Sequence, residues 1–319
     1  VILQTYSGET WTPGPFSTDN AKPISEGVPA DDTLGSSLAA DATEVTTTIT
    51  ATALDTQYLP VPAHLTGLTT SGGSWFLDNT TRTVFAENAG TSTRRLTWTA
   101  TSLQVAPTPA QLQAAAPQST TDITERTRRL QIPAKLSALA TQWTQGAATD
   151  YDKAVAIEKQ FTSTFSYSTS NVSRQDPKAP TYLDQFLDAK SGYCQQFAAT
   201  MALMAQSLGI PARVVVGFTA GTRQPDGTYV VLGRNAHAWP ELFFTGIGWQ
   251  RFEPTPSTAP SGLINPAYSG PNAVTTPLPG PSASASSSSG VKPIRDERDP
   301  GSASPFDGAA VAEGTTADL

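Results

Sequence analysis

The stretch Ser191-Gly-Tyr-Cys-Gln-Gln-Phe-Ala-Ala-Thr-Met-Ala-Leu-Met-Ala-Gln-Ser-Leu-Gly209 decides how this 319-residue chain is read. Phe197, Met201, Met204 and Leu208 recur at the spacing of one helical face. Gly209 stands where a left-handed C-cap belongs, and Pro211 forbids continuation. Cys194, the single cysteine of the chain, falls on the same stripe in the first turn. A lone thiol forms no internal disulfide, so its role is packing or chemistry. At a helix N-terminus, the unpaired N–H groups and the positive end of the dipole favour the thiolate, which is the nucleophilic form.

Working outward, the second and last histidine, His237, follows 43 positions later in Arg234-Asn-Ala-His-Ala-Trp-Pro-Glu-Leu-Phe-Phe. The next strand-like segment, Gly248-Trp-Gln-Arg-Phe-Glu-Pro-Thr-Pro, carries Glu253, 16 positions beyond the histidine. An even separation with its midpoint at Thr245, beside a glycine turn, suits a hairpin. Such a hairpin sets His237 and Glu253 opposite each other on one sheet face, with Cβ atoms about 4.5–5.5 Å apart. Cysteine acyl transfer needs a thiolate, an imidazole to move the proton, and an acceptor to hold the imidazole's tautomer. The three occur here in that order.

Each residue also has a plainer reading. Cys194 on an apolar stripe reads equally as a small buried hydrophobe, His237 as a structural histidine, and Glu253 as a solvated strand end. Glu241 is a rival acid on the histidine's own strand, read as a surface or salt-bridging residue. Trp239 and Trp249 read as core or as cleft lining. His64, in Pro62-Ala-His-Leu, is assigned to surface or packing.

Three compositional zones order the chain. Residues 1–106 alternate as strands do, for example in Glu44-Val-Thr-Thr-Thr-Ile-Thr and in Trp75-Phe-Leu against Thr83-Val-Phe, and read as a small β-rich domain. Its opening, Gln4-Thr-Tyr-Ser-Gly-Glu-Thr-Trp-Thr-Pro, reads as an edge strand or a connection. Residues 107–257 begin with helical patterns at Asp122–Leu130, Ala134–Thr144 and Asp150–Phe165 and end in strands at Ala212–Phe218, Thr228–Leu232, His237–Phe244 and Trp249–Phe252. Helices first and an antiparallel meander second describe an α+β unit. Residues 258–319 are rich in Pro, Ser, Gly and Ala and read as a disordered linker, whose removal from Ser261 is expected to leave stability and activity unchanged.

The formal charge is −7 and the charged fraction 15%, below the usual level of about 25%, with no basic patch, so nucleic acid is an unsuitable partner. The spacing of two distant histidines and one cysteine suits no zinc site, and no acidic loop has calcium-binding spacing. No metal and no cofactor is expected. Phosphate-loop, dinucleotide and serine-elbow motifs are missing. No apolar run of 18 residues occurs, and the chain reads as a piece of a longer protein, with targeting or anchoring segments outside it.

Four motifs in order, Ser191-Gly-Tyr-Cys-Gln-Gln-Phe-Ala, Leu208-Gly-Ile-Pro-Ala-Arg-Val-Val-Val-Gly-Phe, Asn235-Ala-His-Ala-Trp-Pro-Glu-Leu-Phe and Gly248-Trp-Gln-Arg-Phe-Glu-Pro-Thr-Pro, resemble the bacterial transglutaminase-like superfamily. The likeness spans about Ala134 to Pro256 and is greatest to the membrane-anchored type with an extracytoplasmic domain. It implies a papain-like core, a cysteine helix packed on an antiparallel sheet. In that core Cys194 is nucleophile, His237 base and acid, and Glu253 third member, where the family more usually has Asp. It implies flanking membrane segments and a soluble domain on the extracytoplasmic face of the membrane. The expected function is thiol-dependent acyl transfer on amides, transamidation or deamidation of protein glutamine, through a Cys194 thioester. The substrate is expected to be a protein or peptide of the cell envelope. The alternatives are a cell-envelope cysteine peptidase and a catalytically idle interaction module. Tyr193 and Trp239 are candidate substrate-binding walls. The Cys194 N–H is one candidate oxyanion donor, with a second sought around Thr181 to Ser191.

Overall fold

The computed structural model describes residues 2–7, 10–13, 20–117, 132–170, 182–256 and 266–269. The first strands, β1 (Ile2–Ser7) and β2 (Thr10–Pro13), form an antiparallel pair. Seven more follow: β3 (Ala21–Pro23), β4 (Thr43–Thr50), β5 (Tyr58–Leu59), β6 (Leu65–Thr70), β7 (Trp75–Asp78), β8 (Val84–Ala86) and β9 (Thr97–Gln104). These seven make two sheets, ordered β3-β7-β8-β5 and β4-β9-β6. Period-two alternation explains the second sheet. Trp98 and Ala100 of β9 point into a core shared with Trp75 and Leu77, while Thr97, Thr99 and Thr101 pair hydroxyl to hydroxyl with Thr50, Thr48 and Thr46 at 3.0, 3.1 and 3.4 Å. The expected Trp75–Thr83 hairpin forms, its turn tied by the Asp78 carboxylate, which accepts from the Thr80 and Thr81 N–H groups at 3.1 and 2.6 Å. His64 is a packing residue, its Nδ1 3.0 Å from Asp31 Oδ2.

The second unit begins with helices. After the short α1 (Ser36–Ala40) of the first unit come α2 (Pro109–Gln113), α3 (Ala134–Trp143), α4 (Asp150–Thr164), α5 (Tyr182–Ala189) and α6 (Cys194–Ser207). Thr149 caps α4, accepting from the Asp152 N–H at 3.1 Å while the Asp152 carboxylate accepts from the Thr149 N–H at 3.2 Å. The two-residue strands β10 (Ser166–Tyr167) and β11 (Ser191–Gly192) pair in parallel. Next come β12 (Ala212–Phe218), the hairpin of β13 (Thr222–Arg223) and β14 (Tyr229–Val230), then β15 (Ala236–Phe244) and β16 (Gly248–Arg251). Helix α6 is buried on every side, which is why its sequence is apolar almost all round: α3 and α4 cover one flank, β12 and β15 the other. Phe161, Phe165, Phe186 and Phe197 meet there with ring centroids 4.9–6.0 Å apart. Helix α5 was expected only as a possible donor segment, yet it supplies Phe186 and the buried Leu183 and Leu187 to this core. The helix expected at Asp122–Leu130 lies outside the described residues.

Two boundaries differ from expectation. The opening strands belong to the second unit's sheet, whose order is β16-β15-β12-β1-β2, with Ile2 opposite Val215 and Leu3 opposite Val214. The opening segment is thus an edge addition to the second unit's sheet. Within the segment read as linker from residue 258, residues 266–269 lie against the core. The Tyr151 hydroxyl donates to the Tyr268 carbonyl, the Tyr268 hydroxyl donates to the Arg251 carbonyl at 2.8 Å, and Ser269 is buried. One aromatic residue among many small polar ones anchors a segment that composition averages away. The rest of 258–319 is outside the described residues.

The two units meet backbone to backbone. The Gly35 N–H donates to the Ile247 carbonyl at 3.4 Å, and a Cβ on Gly35 would overlap the Gly246 carbonyl oxygen. Gly248, at φ +101°, would bring a Cβ to 2.6 Å of the Thr33 carbonyl. Main chain cannot step aside as a side-chain tip can. Gly35→Ala is expected to cost about 1–3 kcal/mol and to lower the melting temperature by several degrees in calorimetry. An unchanged melt would mean the units do not dock this closely.

Candidate active site

The approach to Cys194 is fixed by small residues and reciprocal hydrogen bonds. Gly192 precedes the helix where any Cβ would meet Gln196 Oε1 and, at 2.7 Å, the Phe186 ring. That clearance lets the Gln196 side chain fold back to accept from the Tyr193 N–H at 3.2 Å, while the Gln196 N–H donates to the Tyr193 carbonyl at 2.9 Å. The Gly192 carbonyl accepts from the Ser168 N–H at 2.7 Å, tying the turn to β10. Cys194 thus starts α6 with its thiol 6% exposed, where first-turn N–H groups lack intrahelical partners.

The histidine comes from the start of β15. Its cross-strand neighbour is Gly217, and the Trp239 ring fills the space a side chain there would take, 2.8 Å from a built Cβ. His237 Nε2 lies 2.8 Å from Glu253 Oε2, and Cys194 is within electrostatic reach of the ring. The pairing of histidine and acid is as expected, but its register is not. Glu241 faces Arg251 and Phe244 faces Gly248, so the hairpin turns about Gly246, and Glu253 lies past the end of β16 and diagonal to His237. A glutamate has the extra methylene to span that diagonal, which accounts for Glu in place of Asp. Glu241, the rival, is held across the ladder by Arg213 at 2.7 Å and accepts from the Trp239 indole N–H at 3.5 Å.

Glu253 is fully buried, and the same Oε2 accepts from the Arg251 guanidinium at 2.8 Å. Burial alone would raise its pKa, but His237 and Arg251 outweigh burial and lower it. Burial likewise pulls His237 down, yet its hydrogen bond to Glu253 and the negative charge of Glu253 and Cys194 push it up to about 9. The ring is therefore imidazolium at neutral pH. The two aromatic residues expected at the site are both beside it. Trp239 stacks on His237 at 6.1 Å and 24°, with the Arg251 guanidinium 4.8 Å from the Trp239 ring centroid, and Tyr193 is the α6 cap, its hydroxyl donating to Gln195 at 3.2 Å.

Sequence reasoning missed two residues. Tyr167 is half-buried within electrostatic reach of Cys194, and burial first and that charge second push its hydroxyl up to about 12. Glu158 of α4, 2% exposed, accepts from the Glu253 N–H at 2.7 Å; burial, then the Glu253 charge, push it up to about 8. Glu158 stands on a helix face otherwise occupied by Ala154, Ile157 and Phe161, and that polar residue on an apolar stripe was the available signal.

These shifts set the pH dependence of stability. Glu158 and His237 hold protons in the folded state that they lose when unfolded, so stability falls as pH rises from about 4.5 through about 9. Glu253 and Asp31 are lowered, so their contribution is lost as pH falls below about 4. The melting temperature is expected to peak near pH 5, and Glu158→Gln is expected to flatten the decline between about pH 5 and 8. A melt rising steadily toward pH 8 would contradict the assignment.

The fold thus sets a thiol at the start of a buried helix, an imidazole on an antiparallel strand and a buried acid beyond the next strand. Residues 137–254 match the Transglutaminase-like superfamily core and residues 1–109 the TgpA N-terminal domain, so the chain carries a transglutaminase-like core domain and a TgpA-type N-terminal domain. Over 144 residues it is 40% identical to the uncharacterized protein YebA of Bacillus subtilis, covering 43% of this chain and 19% of that protein. Over 153 residues it is 33% identical to the protein-glutamine gamma-glutamyltransferase of Pseudomonas aeruginosa, covering 46% and 22%. The chain thus spans about a fifth of the length of these relatives. The fold resembles the periplasmic domain of TgpA from Pseudomonas aeruginosa, with TM-score 0.57, 19% identity and 80% of each chain covered. Among the described residues no helix is long and apolar enough to cross a membrane.

Proposed function

We propose that this domain catalyses acyl transfer from amide donors, with protein-bound glutamine as the acyl donor, and acts outside the cytoplasm on substrates of the cell envelope. The observation that carries this reading is the buried His237–Glu253 pair at 2.8 Å with the only thiol of the chain within electrostatic reach of its ring. The Cys194 thiolate attacks the side-chain amide carbon, and the C=O pair moves onto oxygen. The imidazolium of His237 then gives its proton to the departing nitrogen, ammonia leaves, and a thioester remains. The now neutral ring takes a proton from an incoming amine or water, whose attack releases the thiol. Glu253 keeps the ring oriented and balances its charge throughout. First-turn N–H groups of α6 face the carbonyl oxygen as it gains charge. Trp239 and Tyr193 wall the sulfur and keep water from the thioester. The glutamyltransferase relative and the periplasmic fold match support the substrate class and the location.

The test is a glutamine-containing peptide given with and without a labelled primary amine, ammonia and incorporation being followed together. Cys194-dependent incorporation supports transamidation, and ammonia alone supports deamidation. Backbone cleavage would replace this reading with a peptidase. No turnover, and no acyl mass on Cys194 with any amide or ester donor, would leave the interaction module.

A further inference from the structure

Glu253 lies beyond the last ladder pair of β16, where the neighbouring strand's last hold is the Phe252 N–H donating to the Pro240 carbonyl at 3.0 Å. Further holds come from two segments distant in sequence. Glu158 of α4 takes its backbone N–H at 2.7 Å. Ser269, 2% exposed, lies within electrostatic reach of the Glu158 carboxyl, and its N–H closes a turn on the Pro266 carbonyl at 2.9 Å. The adjoining Tyr268 ring packs edge-on against Phe252 at 6.0 Å, and its hydroxyl donates to the Arg251 carbonyl at 2.8 Å. Arg251 in turn donates to Glu253 Oε2, the oxygen that also meets His237. Tyr151, two turns back along α4, fastens the Tyr268 carbonyl. Residues 251, 252 and 253 are thus gripped from below by α4 and from the side by a strap that returns from outside the catalytic core.

We propose that Glu158 and the Tyr268–Ser269 strap are a positioning device for the triad acid, so that the reaction proposed above requires residues Pro266–Ser269 to be seated on the core. A single backbone N–H does not call for an ionisable partner, since burying a carboxyl is costly and a shorter polar residue would serve it. A carboxyl does more: one oxygen holds the Glu253 main chain while the group also reaches the strap electrostatically at Ser269, joining the two. Carried mostly as the neutral acid near pH 7, it adds no second negative charge beside Glu253. This inference rests on Cys194, His237 and Glu253 acting together, but not on which acyl donor they use.

The experiment uses the full chain and two variants. Glu158→Leu removes the acceptor; Tyr268→Phe with Ser269→Ala removes the polar bonds of the strap's side chains and keeps its ring and its main-chain bonds. Because the chain has two histidines, the titration of His237 can be followed by NMR of nitrogen-labelled imidazole with His64 as internal reference. Both variants are expected to lower the His237 midpoint by about one pH unit or more, since a displaced Glu253 no longer balances the imidazolium. Both are expected to cut kcat on the order of 10- to 100-fold with KM within about twofold. Glu158→Gln keeps an oxygen for the Glu253 N–H, and is expected to recover the midpoint and most of the lost kcat. A purely structural role would lower the melting temperature and leave the midpoint and kcat of the folded fraction unchanged, and that result overturns the proposal. If Glu158→Leu does not fold, the strap variant decides alone on the same readouts. The NMR titration reads the triad without any substrate, so a failed acyl-transfer assay and a failed positioning device give different results.

Discussion

Cys194→Ala abolishes acyl transfer, by at least about 10⁴-fold, and removes all iodoacetamide labelling, while the melting temperature moves by only a few degrees. The chain has one cysteine, so labelling falls from one adduct to none and mass spectrometry reads it without ambiguity. The small stability effect follows from position. Cys194 sits in the first turn of α6 with residual exposure, so loss of its sulfur leaves a void of one atom open toward solvent. His237→Ala should lose comparable activity yet cost more stability, because it strips a partner from a fully buried carboxylate. Arg251 and the Thr255 N–H still hold Glu253, at 2.8 and 3.3 Å, so the cost stays below the about 3–5 kcal/mol of a wholly orphaned buried charge. A Cys194→Ala protein that unfolds would return the thiol to the packing reading set out from its apolar stripe.

Glu253→Gln is expected to lower kcat/KM by about 10² to 10⁴ and to bring the His237 titration down from about 9. The amide fills the same volume and still accepts a hydrogen bond, but it carries no charge for imidazolium or guanidinium. Glu241→Gln serves as the control. It loses the Arg213 ion pair on the same sheet, and its activity should stay within about threefold of the parent. Should Glu241→Gln be the damaging change and Glu253→Gln silent, the third member of the centre has been misassigned.

Much of this centre was legible in the chain because its parts are local. A thiol in the first turn of an apolar helix is visible within 19 residues, and a histidine and acid on consecutive strands are visible through parity alone. Parity identified the pairing but not the register. One residue's difference in the turn, at Gly246 instead of Thr245, moves Glu253 from opposite His237 to diagonal, a distinction that periodicity does not encode. The features that escaped are contacts between remote segments. Glu158 meets Glu253 across 95 positions, Tyr268 meets Tyr151 across 117, and β1 meets β12 across more than 200, none with a local pattern to announce it. Gly35 looked like any loop glycine until its backbone neighbour was known.

The placement of β1 between β2 and β12 has a consequence for assembly. β1 and β2 complete a sheet whose other three strands lie some 200 residues further along the chain, so Ile2 waits through synthesis of Val215 before its ladder can close. Contacts of such long sequence separation form slowly, and the loop they close must be ordered before it is rewarded. Until β1 docks, the outer edge of β12 offers a row of open N–H and C=O groups in an apolar Val-Val-Val segment, which is a template for strand addition by another chain. A shortened form that begins after Pro13 would keep every residue of the thiol centre and still carry that open edge permanently, and its characteristic failure would be self-association in place of inactivity.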